Sequence, residues 1–454
     1  MEPASVPTLS AEELGSATEE PIERLHRLRS LRLIGSEANE RFRREDVVRV
    51  RLIQFLERRQ IPLETIARAE QEEEIISSVL QFLFPDGVGP TYSLAQAADI
   101  VGPNAELARL LREAASAGDD PVDKHDLQML RKAKVALDAG FPEAALVQLA
   151  RVYADTQSRA AEAEVHLFHF YVHEGLKAGG LSGPELRHSR KSVREQLLPV
   201  AELLIRYFHR RAMMKAVRED MVLHLMGGPP RPADSDRPTQ LRLAVVFLDV
   251  SSYTPITEVM GDVVAAKIVE RFSELVREAI ARFDGRIVDR IGDAFLLAFP
   301  DPRAAVSCAL EIERRTAAEP QFPAVRGAVH WGDVLYQEGG YVGGNLNASR
   351  VATQATPHQI LATAAACNEI GSLEGISFAP LGQRRLKGLA EELELFEARP
   401  DDVQRRERVR DPVCGIEMAP GQVAATLLVN GQALAFCCEK CLRLFLDVPH
   451  KHGA

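Results

Sequence analysis

The sequence predicts a multidomain chain with an all-α N-terminal half, a mixed α/β domain after it, and a small cysteine-containing module at the end. Three observations carry this. Apolar residues recur at helical spacing through residues 20–225, buried-strand and amphipathic-helix patterns alternate after residue 240, and four of the six cysteines fall in the last 41 of 454 residues. The boundaries implied are 1–230, 241–400 and 410–454.

Length and composition fit this plan. A chain of 454 residues has room for two or three cores, and 46% apolar with 26% charged residues is ordinary for globular protein. The net charge of −10 argues against a mainly nucleic-acid-binding role, which calls for a basic face. No apolar run approaches the roughly 18 residues of a membrane span, and the acidic N-terminus lacks the basic-then-apolar pattern of a signal peptide. A cytoplasmic protein with no membrane partner is expected.

In the first half, IERLHRLRSLRLI, DVVRVRLIQFLERR and SVREQLLPVAELLIRYFHRRAMMKAV read as amphipathic helices, broken at Pro62, at 85–90 and at 178–184. The Pro- and Asp-rich segment 226–240 is a linker by composition. Beyond it, LRLAVVFLDV reads as a buried strand and GDVVAAKIVERFSELVREAIARF as a long helix. RIVDR and AFLLAF form a hairpin joined at Ile291-Gly292, PRAAVSCALEIERRT is a helix, and VRGAVHWGDVLY a strand pair. Such a mixture describes an α/β sandwich whose helices pack on one sheet face. A second, charged linker leads into the tail.

Two carboxylates stand out. Asp249 leaves the end of the buried strand in FLDVSSYT, and Asp293 lies at the hairpin turn in IVDRIGDAFLLAF. A lone Asp at a strand end is ordinarily a cap or turn former. A pair at the ends of neighbouring strands can hold two Mg²⁺ or Mn²⁺ ions that clamp a triphosphate.

FLDVSSYTPITEVMGD, GRIVDRIGDAFLLAF, VRGAVHWGDV, YVGGNLNASRVA and LGQRRLKGLAEELELFEA resemble, in that order, the consecutive motifs of class III adenylyl and guanylyl cyclases over about 155 residues. The resemblance implies an α+β, ferredoxin-like βαββαβ domain that pairs head to tail as a homodimer. It implies conversion of ATP to 3′,5′-cyclic AMP and pyrophosphate in intracellular signalling, by two metal ions at the dimer interface. It makes Asp249, Asp293 and the backbone of Val250 the metal ligands. The backbone of Ser251, Ser252, Tyr253 and Thr254 becomes the phosphate cradle at a helix start. Asn347 would orient the ribose, Arg350 stabilise charge on the α-phosphoryl, and Lys387 contact the triphosphate.

The chain departs from the family pattern in three places. Asn347 and Arg350 stand at i and i+3 where i and i+4 is usual, rotating Arg350 by about 100° with a shift of about 1.5 Å; an alternative alignment puts Leu346 in the Asn position. The base-selecting positions hold Asp289 and Gly340, where adenylyl cyclases commonly have Lys and a small polar or acidic residue. An ionised carboxylate only accepts hydrogen bonds, so Asp289 cannot replace a lysine donor. GTP is therefore the alternative substrate, and a cyclase-like nucleotide- or metal-sensing module without turnover the alternative function.

The N-terminal half resembles, in pattern and order over about 150 residues, the regulatory domain of pH-responsive mycobacterial adenylyl cyclases, which implies a helical dimerisation module. PTYSLAQAADIVGPNAELARLLREA also looks like a helix-turn-helix, but its second helix balances two Arg with two Glu and lacks a basic surface. His166, His169 and His173 stand at i, i+3 and i+7; they read as rings packed beside Phe168 and Phe170, with a stacked proton sensor as the alternative.

The tail DPVCG…FCCEKCLRLF resembles a YHS domain, with Cys414, Cys437 and Cys441 at the family's cysteine positions and Cys438 where Ser is usual. Cys437 and Cys441 at i and i+4 would share a helix face. Three thiolates suit Zn²⁺ or Cu(I), and the alternative is a packed mini-domain with no ion. His450 and His452 are further ligand candidates. The short linker is expected to keep this module close to Lys387.

Overall fold

The computed structural model describes residues 8–35, 41–84, 87–102, 105–117, 122–225, 239–337, 339–387, 392–401 and 408–447. His450, His452 and most of both linkers lie outside them. The chain divides into two compact units, Met1–Pro232 and Ala233–Ala454.

The first unit is helical, with two cores. Leu14, Leu25, Leu28, Val50, Ile53 and Ile76 close one of them over helices Ala11–Thr18 to Ile75–Leu83. Leu107, Leu111 and Leu130 anchor the other between Leu94–Val101 and Glu143–Leu167. Local chemistry sets the helix starts. Pro62 occupies the N-cap of Leu63–Glu73, and Ser93 and Gln96 exchange hydrogen bonds of 3.2 and 2.9 Å as a capping box. The all-α expectation needs one amendment: Thr8–Leu9 pairs with Phe42–Arg43, an extended contact that lets Phe42 enter the first core. In Ala105–Ala114, Arg109 is neutralised by Glu106 and Glu113 on its own helix, as its charge balance predicts.

The helix Glu143–Leu167 runs into a π-helix, Phe168–Glu174, followed after a break by the 43-residue helix Gly183–Leu225. His169 and His173 stack at 5.0 Å, and His173 is buried. Phe170, expected to pack beside them, is 66% exposed. The extra residue per turn of a π-helix rotates it off the face that helical spacing assigns.

Elements of the second unit are numbered within it. β1 (Thr239–Val250) leads through α1 (Tyr253–Met260) and α2 (Asp262–Ile280) to the hairpin β2 (Arg286–Ile291) and β3 (Ala294–Phe299), then α3 (Pro302–Ala318) and β4 (Val325–Gln337). These four strands lie in the order β2-β3-β1-β4, every neighbouring pair antiparallel, which is βαββαβ topology. VRGAVHWGDVLY is thus one 13-residue strand and no strand pair, because it runs the full length of β1. After β5 (Gly340–Gly343) and α4 (Gly344–Ala352), β6 (Ile360–Thr363) adds parallel to β4; α5 (Ala364–Ile370), β7 (Ile376–Arg384) and β8 (Leu393–Pro400) complete the sheet.

Strand alternation separates the two sheet faces. Ala244, Val246, Leu248 and Val250 enter the main core with Phe272 and Val276 of α2, Ala305, Val306 and Ala309 of α3, and Ala366 of α5. Leu243 and Val245 point to the other face, where α4 packs through Ala348, Val351 and Ala352. Helices therefore cover both faces; the small residues of α4 let it lie close on the second.

The tail folds as an Ala425–Val429/Gln432–Phe436 hairpin turned by Asn430-Gly431, both at positive φ, and a helix Glu439–Asp447. It packs on α1: Ile256 is fully buried with Cys414, Phe436, Cys437, Cys441 and Phe445. Its side-chain hydrogen bonds to the rest of the unit, among the described residues, involve Ser252, Met260 and Gln321. The apolar side of the tail seats on α1.

Candidate active site and thiol cluster

Asp249 is an odd-numbered residue of β1, so alternation turns it to the face carrying α4. Directly across the ladder stands Arg326, whose Nε and Nη2 donate to Asp249 Oδ2 at 3.0 and 2.8 Å. Asp293 sits in the β2–β3 turn, which is formed by Gly292-Asp293, one residue later than Ile291-Gly292, with Gly292 at φ 63°. Burial raises the Asp293 pKa, and the Asp249 charge raises it further, so the two carboxylates lie within electrostatic reach.

The turn after β1 supplies the phosphate-cradle candidates. Ser252 takes φ 64°, ψ 22° and caps α1 without a side-chain bond to it. The N–H groups of Tyr253 and Thr254, in the first turn of α1, have no carbonyl ahead of them within the helix. Ser251 is corrected: its N–H is bound to Ala324 O at 2.8 Å and cannot serve. Its buried hydroxyl, however, has no hydrogen-bond partner. The Val250 side chain is buried in the main core, which leaves only its carbonyl as a possible ligand. Two carboxylates, a carbonyl and an unsatisfied hydroxyl are all oxygen donors, the set that Mg²⁺ and Mn²⁺ take.

Asn347 and Arg350 are on α4, both half-buried. Asn347 Nδ2 lies 3.3 Å from His330 Nε2, and His330 Nδ1 lies 3.2 Å from Thr363 Oγ1. Burial lowers the His330 pKa, so the ring is neutral; Nε2 accepts from the Asn347 amide while Nδ1–H donates to Thr363. Leu386 packs beside Val351 and Ala352, which sets the exposed Lys387 next to α4. Arg326 and His330, which hold Asp249 and Asn347, stand four residues apart on β4, about 13 Å along the strand.

Asp289 is exposed at a register shift between Ile287 and Asp289, and its Oδ1 accepts from the Arg290 N–H at 2.8 Å. Gly340, at the start of β5, has room for a side chain, since an added Cβ would meet only Gln337 O at 3.7 Å.

In the tail, Cys414 Sγ is 3.5 Å from Cys437 Sγ, which is 3.7 Å from Cys441 Sγ; all three are buried. Cys437 does not share the helix with Cys441 but stands two residues ahead of it. Asp411 holds it there. One oxygen of this fully buried carboxylate accepts from the Val413 and Cys414 N–H groups at 2.8 and 3.2 Å, and the other from Cys437 N–H at 2.7 Å. Hydrogen bonds from Cys437 and then Cys441 lower the pKa of the Cys414 thiol, while those of Cys437 and Cys441 are pushed up.

Arg326, His330 and Asp411 escaped the reading of the sequence. Arg326 and His330 sit two and four residues apart from Ala328 and each other on one parity of a buried strand, a pattern that marks a polar row on one face. Asp411 before Pro412 carries the signature of a side-chain-capped turn.

No family model matches the chain. Over 206 residues it is 32% identical to an adenylate cyclase of Glutamicibacter nicotianae, a stretch covering 44% of this chain and 51% of that protein. Over 321 residues it is 23% identical to a pH-sensitive adenylate cyclase of Mycobacterium tuberculosis, covering 68% of this chain and 79% of that protein. The adenylyl cyclase CyaB from P. aeruginosa shares 18% identity over 37% of this chain and 97% of its own, at a TM-score of 0.32. The chain is thus similar to proteins named adenylate cyclase. It spans about half the length of the first of these proteins. No described helix is long and apolar enough to cross a membrane.

Proposed function

We propose that the chain is a class III adenylate cyclase, forming 3′,5′-cyclic AMP and pyrophosphate from ATP at a site shared between two copies. The observation that carries this is the convergence of Asp249, Asp293, the unpartnered Ser251 hydroxyl and the first turn of α1 at one end of the sheet face. Two Mg²⁺ or Mn²⁺ ions, held by Asp249, Asp293 and the Val250 carbonyl, would lower the pKa of the attacking 3′-hydroxyl and offset triphosphate charge. The chain's own groups do the rest. The N–H groups of Tyr253 and Thr254 bind phosphate oxygens, Arg326 fixes the rotamer of Asp249, and His330 aims the Asn347 amide at the ribose. Arg350 and Lys387 answer the negative charge that moves to the α-phosphoryl and the leaving pyrophosphate.

The separation of about 13 Å between the Arg326 and His330 positions supports a homodimer. Arg326 holds Asp249 and His330 holds Asn347, so head-to-tail pairing would bring the Asn347 end of one copy to the Asp249 end of the other. On the helix Gly183–Leu225, Leu197, Val200, Leu204, Tyr207, Met214 and Met221 are exposed at heptad-like spacing, which supports pairing of the N-terminal units as well. Domain limits of 1–230, 241–400 and 410–454 follow the same reading, with the tail as a YHS-like module that takes Zn²⁺ or Cu(I).

GTP is the second reading, favoured by the exposed carboxylate of Asp289, which would accept from the N1–H and amino group of guanine. Incubating the purified chain with Mn²⁺ and either ATP or GTP, and resolving products by chromatography, tests both. Cyclic AMP as the main product is expected; cyclic GMP would reverse the substrate, and absence of any cyclic nucleotide would overturn the enzyme reading.

A further inference from the structure

The thiol cluster and the turn that begins α1 are joined through a single residue. Gly415 follows Cys414, and its carbonyl accepts from Ser252 Oγ at 3.3 Å. Gly415 has φ 75°, and a Cβ added to it would stand 2.9 Å from Ser252 Oγ and 3.3 Å from Ser252 Cβ, so its backbone lies directly against the Ser252 side chain. Ser252 is itself in the left-handed region, which a non-glycine residue leaves readily unless held. One turn along α1, Ile256 is fully buried against the same cysteine-bearing core. Gln321 Nε2 also donates to Cys437 O at 3.1 Å.

The cluster has the form of an ion site. Thiolates sharing one tetrahedral zinc, each about 2.3 Å from it, stand about 3.8 Å apart. The sulfurs here are already 3.5 and 3.7 Å apart along the chain Cys414–Cys437–Cys441. Both oxygens of Asp411 are engaged by backbone N–H groups, so this carboxylate positions the cysteine loops and adds negative charge beside them.

We propose that a thiophilic ion bound by Cys414, Cys437 and Cys441 regulates nucleotide affinity, by fixing Gly415 and with it the Ser252 turn that receives the triphosphate. This rests on the reading of Ser252–Thr254 as the phosphate cradle. With the ion present, the three sulfurs hold the Cys414–Gly415 loop in one position, and the Ser252 hydroxyl keeps its acceptor. Without it, three buried thiols compete for hydrogen bonds among themselves, and the sulfurs no longer fix the loop. A ligand shifts such an equilibrium by its difference in affinity for the two states, and nucleotide binding then reports that difference.

The full chain is loaded with Zn²⁺ under reducing conditions, with Mg²⁺ in large excess, and bound zinc is counted by native mass spectrometry. Affinity for 3′-deoxy-ATP, which cannot cyclise, is measured by calorimetry before and after loading. One Zn²⁺ per chain is expected, lost in the Cys437→Ser, Cys441→Ser double variant, with roughly five- to tenfold tighter nucleotide binding in the loaded protein. Ser252→Ala leaves the cluster intact and should keep the zinc while losing the zinc-dependent change, which covers the case in which the double variant does not fold. No zinc bound at micromolar concentration, or zinc bound with unchanged nucleotide affinity, overturns the coupling. Absence of 3′-deoxy-ATP binding in both states overturns the cradle reading beneath it.

Discussion

Arg326 donates from both Nε and Nη2 to a single oxygen, Oδ2, of Asp249, its direct partner across the β1–β4 ladder. Convergence on one oxygen makes the guanidinium an orienting group that fixes the carboxylate and leaves Oδ1 outside the pair. Hydrogen bonds to charged groups contribute roughly 1.5–3 kcal/mol. Arg326→Ala is therefore expected to raise the Mn²⁺ concentration for half-maximal activity by roughly ten- to hundredfold. A lowered requirement would mean that Arg326 competes with the ion.

Asp249→Ala and Asp293→Ala should each lose turnover by on the order of a hundredfold or more, with the circular dichroism spectrum retained. With the site shared between two copies as proposed, mixing inactive Asp293→Ala with inactive Arg350→Ala should restore part of the activity. Two variants that dimerise yet stay inactive when mixed would refute the shared site.

His330 is a positioning residue, acting through Asn347. His330→Phe removes an acceptor worth about 1 kcal/mol, so kcat should fall roughly fivefold with little change in KM. His330→Gln, which restores an acceptor, should recover most of the loss. Equal loss in both variants would point to packing alone.

The folded N-terminal unit resists protonation at His173. Burial, then Lys177 and Arg190, hold its pKa below the ordinary 6.5, with His169 lowering it further and Glu174 opposing. Arg190 Nη1, 3.4 Å from Nδ1, donates to the neutral ring. The unfolded chain takes up a proton that the folded unit refuses, so stability is full above about pH 6.5 and falls as pH drops through that value toward the folded pKa. Thermal melts of the whole chain between about pH 5 and pH 7.5 should show this slope, and His173→Gln should flatten it. An unchanged slope would remove His173 from any acid response.

How much of this was legible beforehand follows the range of the forces. The helical first half, the strand–helix–hairpin–helix order, the Asn430-Gly431 hairpin and the positions of Asp249 and Asp293 come from local spacing and turn chemistry, which act over a few residues and are written in order along the chain. The partnership of Arg326 with Asp249, the support of Asn347 by His330 and the clamp of Asp411 on Cys437 join residues 77, 17 and 26 positions apart. The register of the sheet and the packing of the tail on α1 decided them. The same is true of Ser251, whose N–H was lost to Ala324 once the strands aligned, and of the tail, whose apolar face packs on Ile256. Periodicity says which face of an element is buried; only the assembled core says what it is buried against.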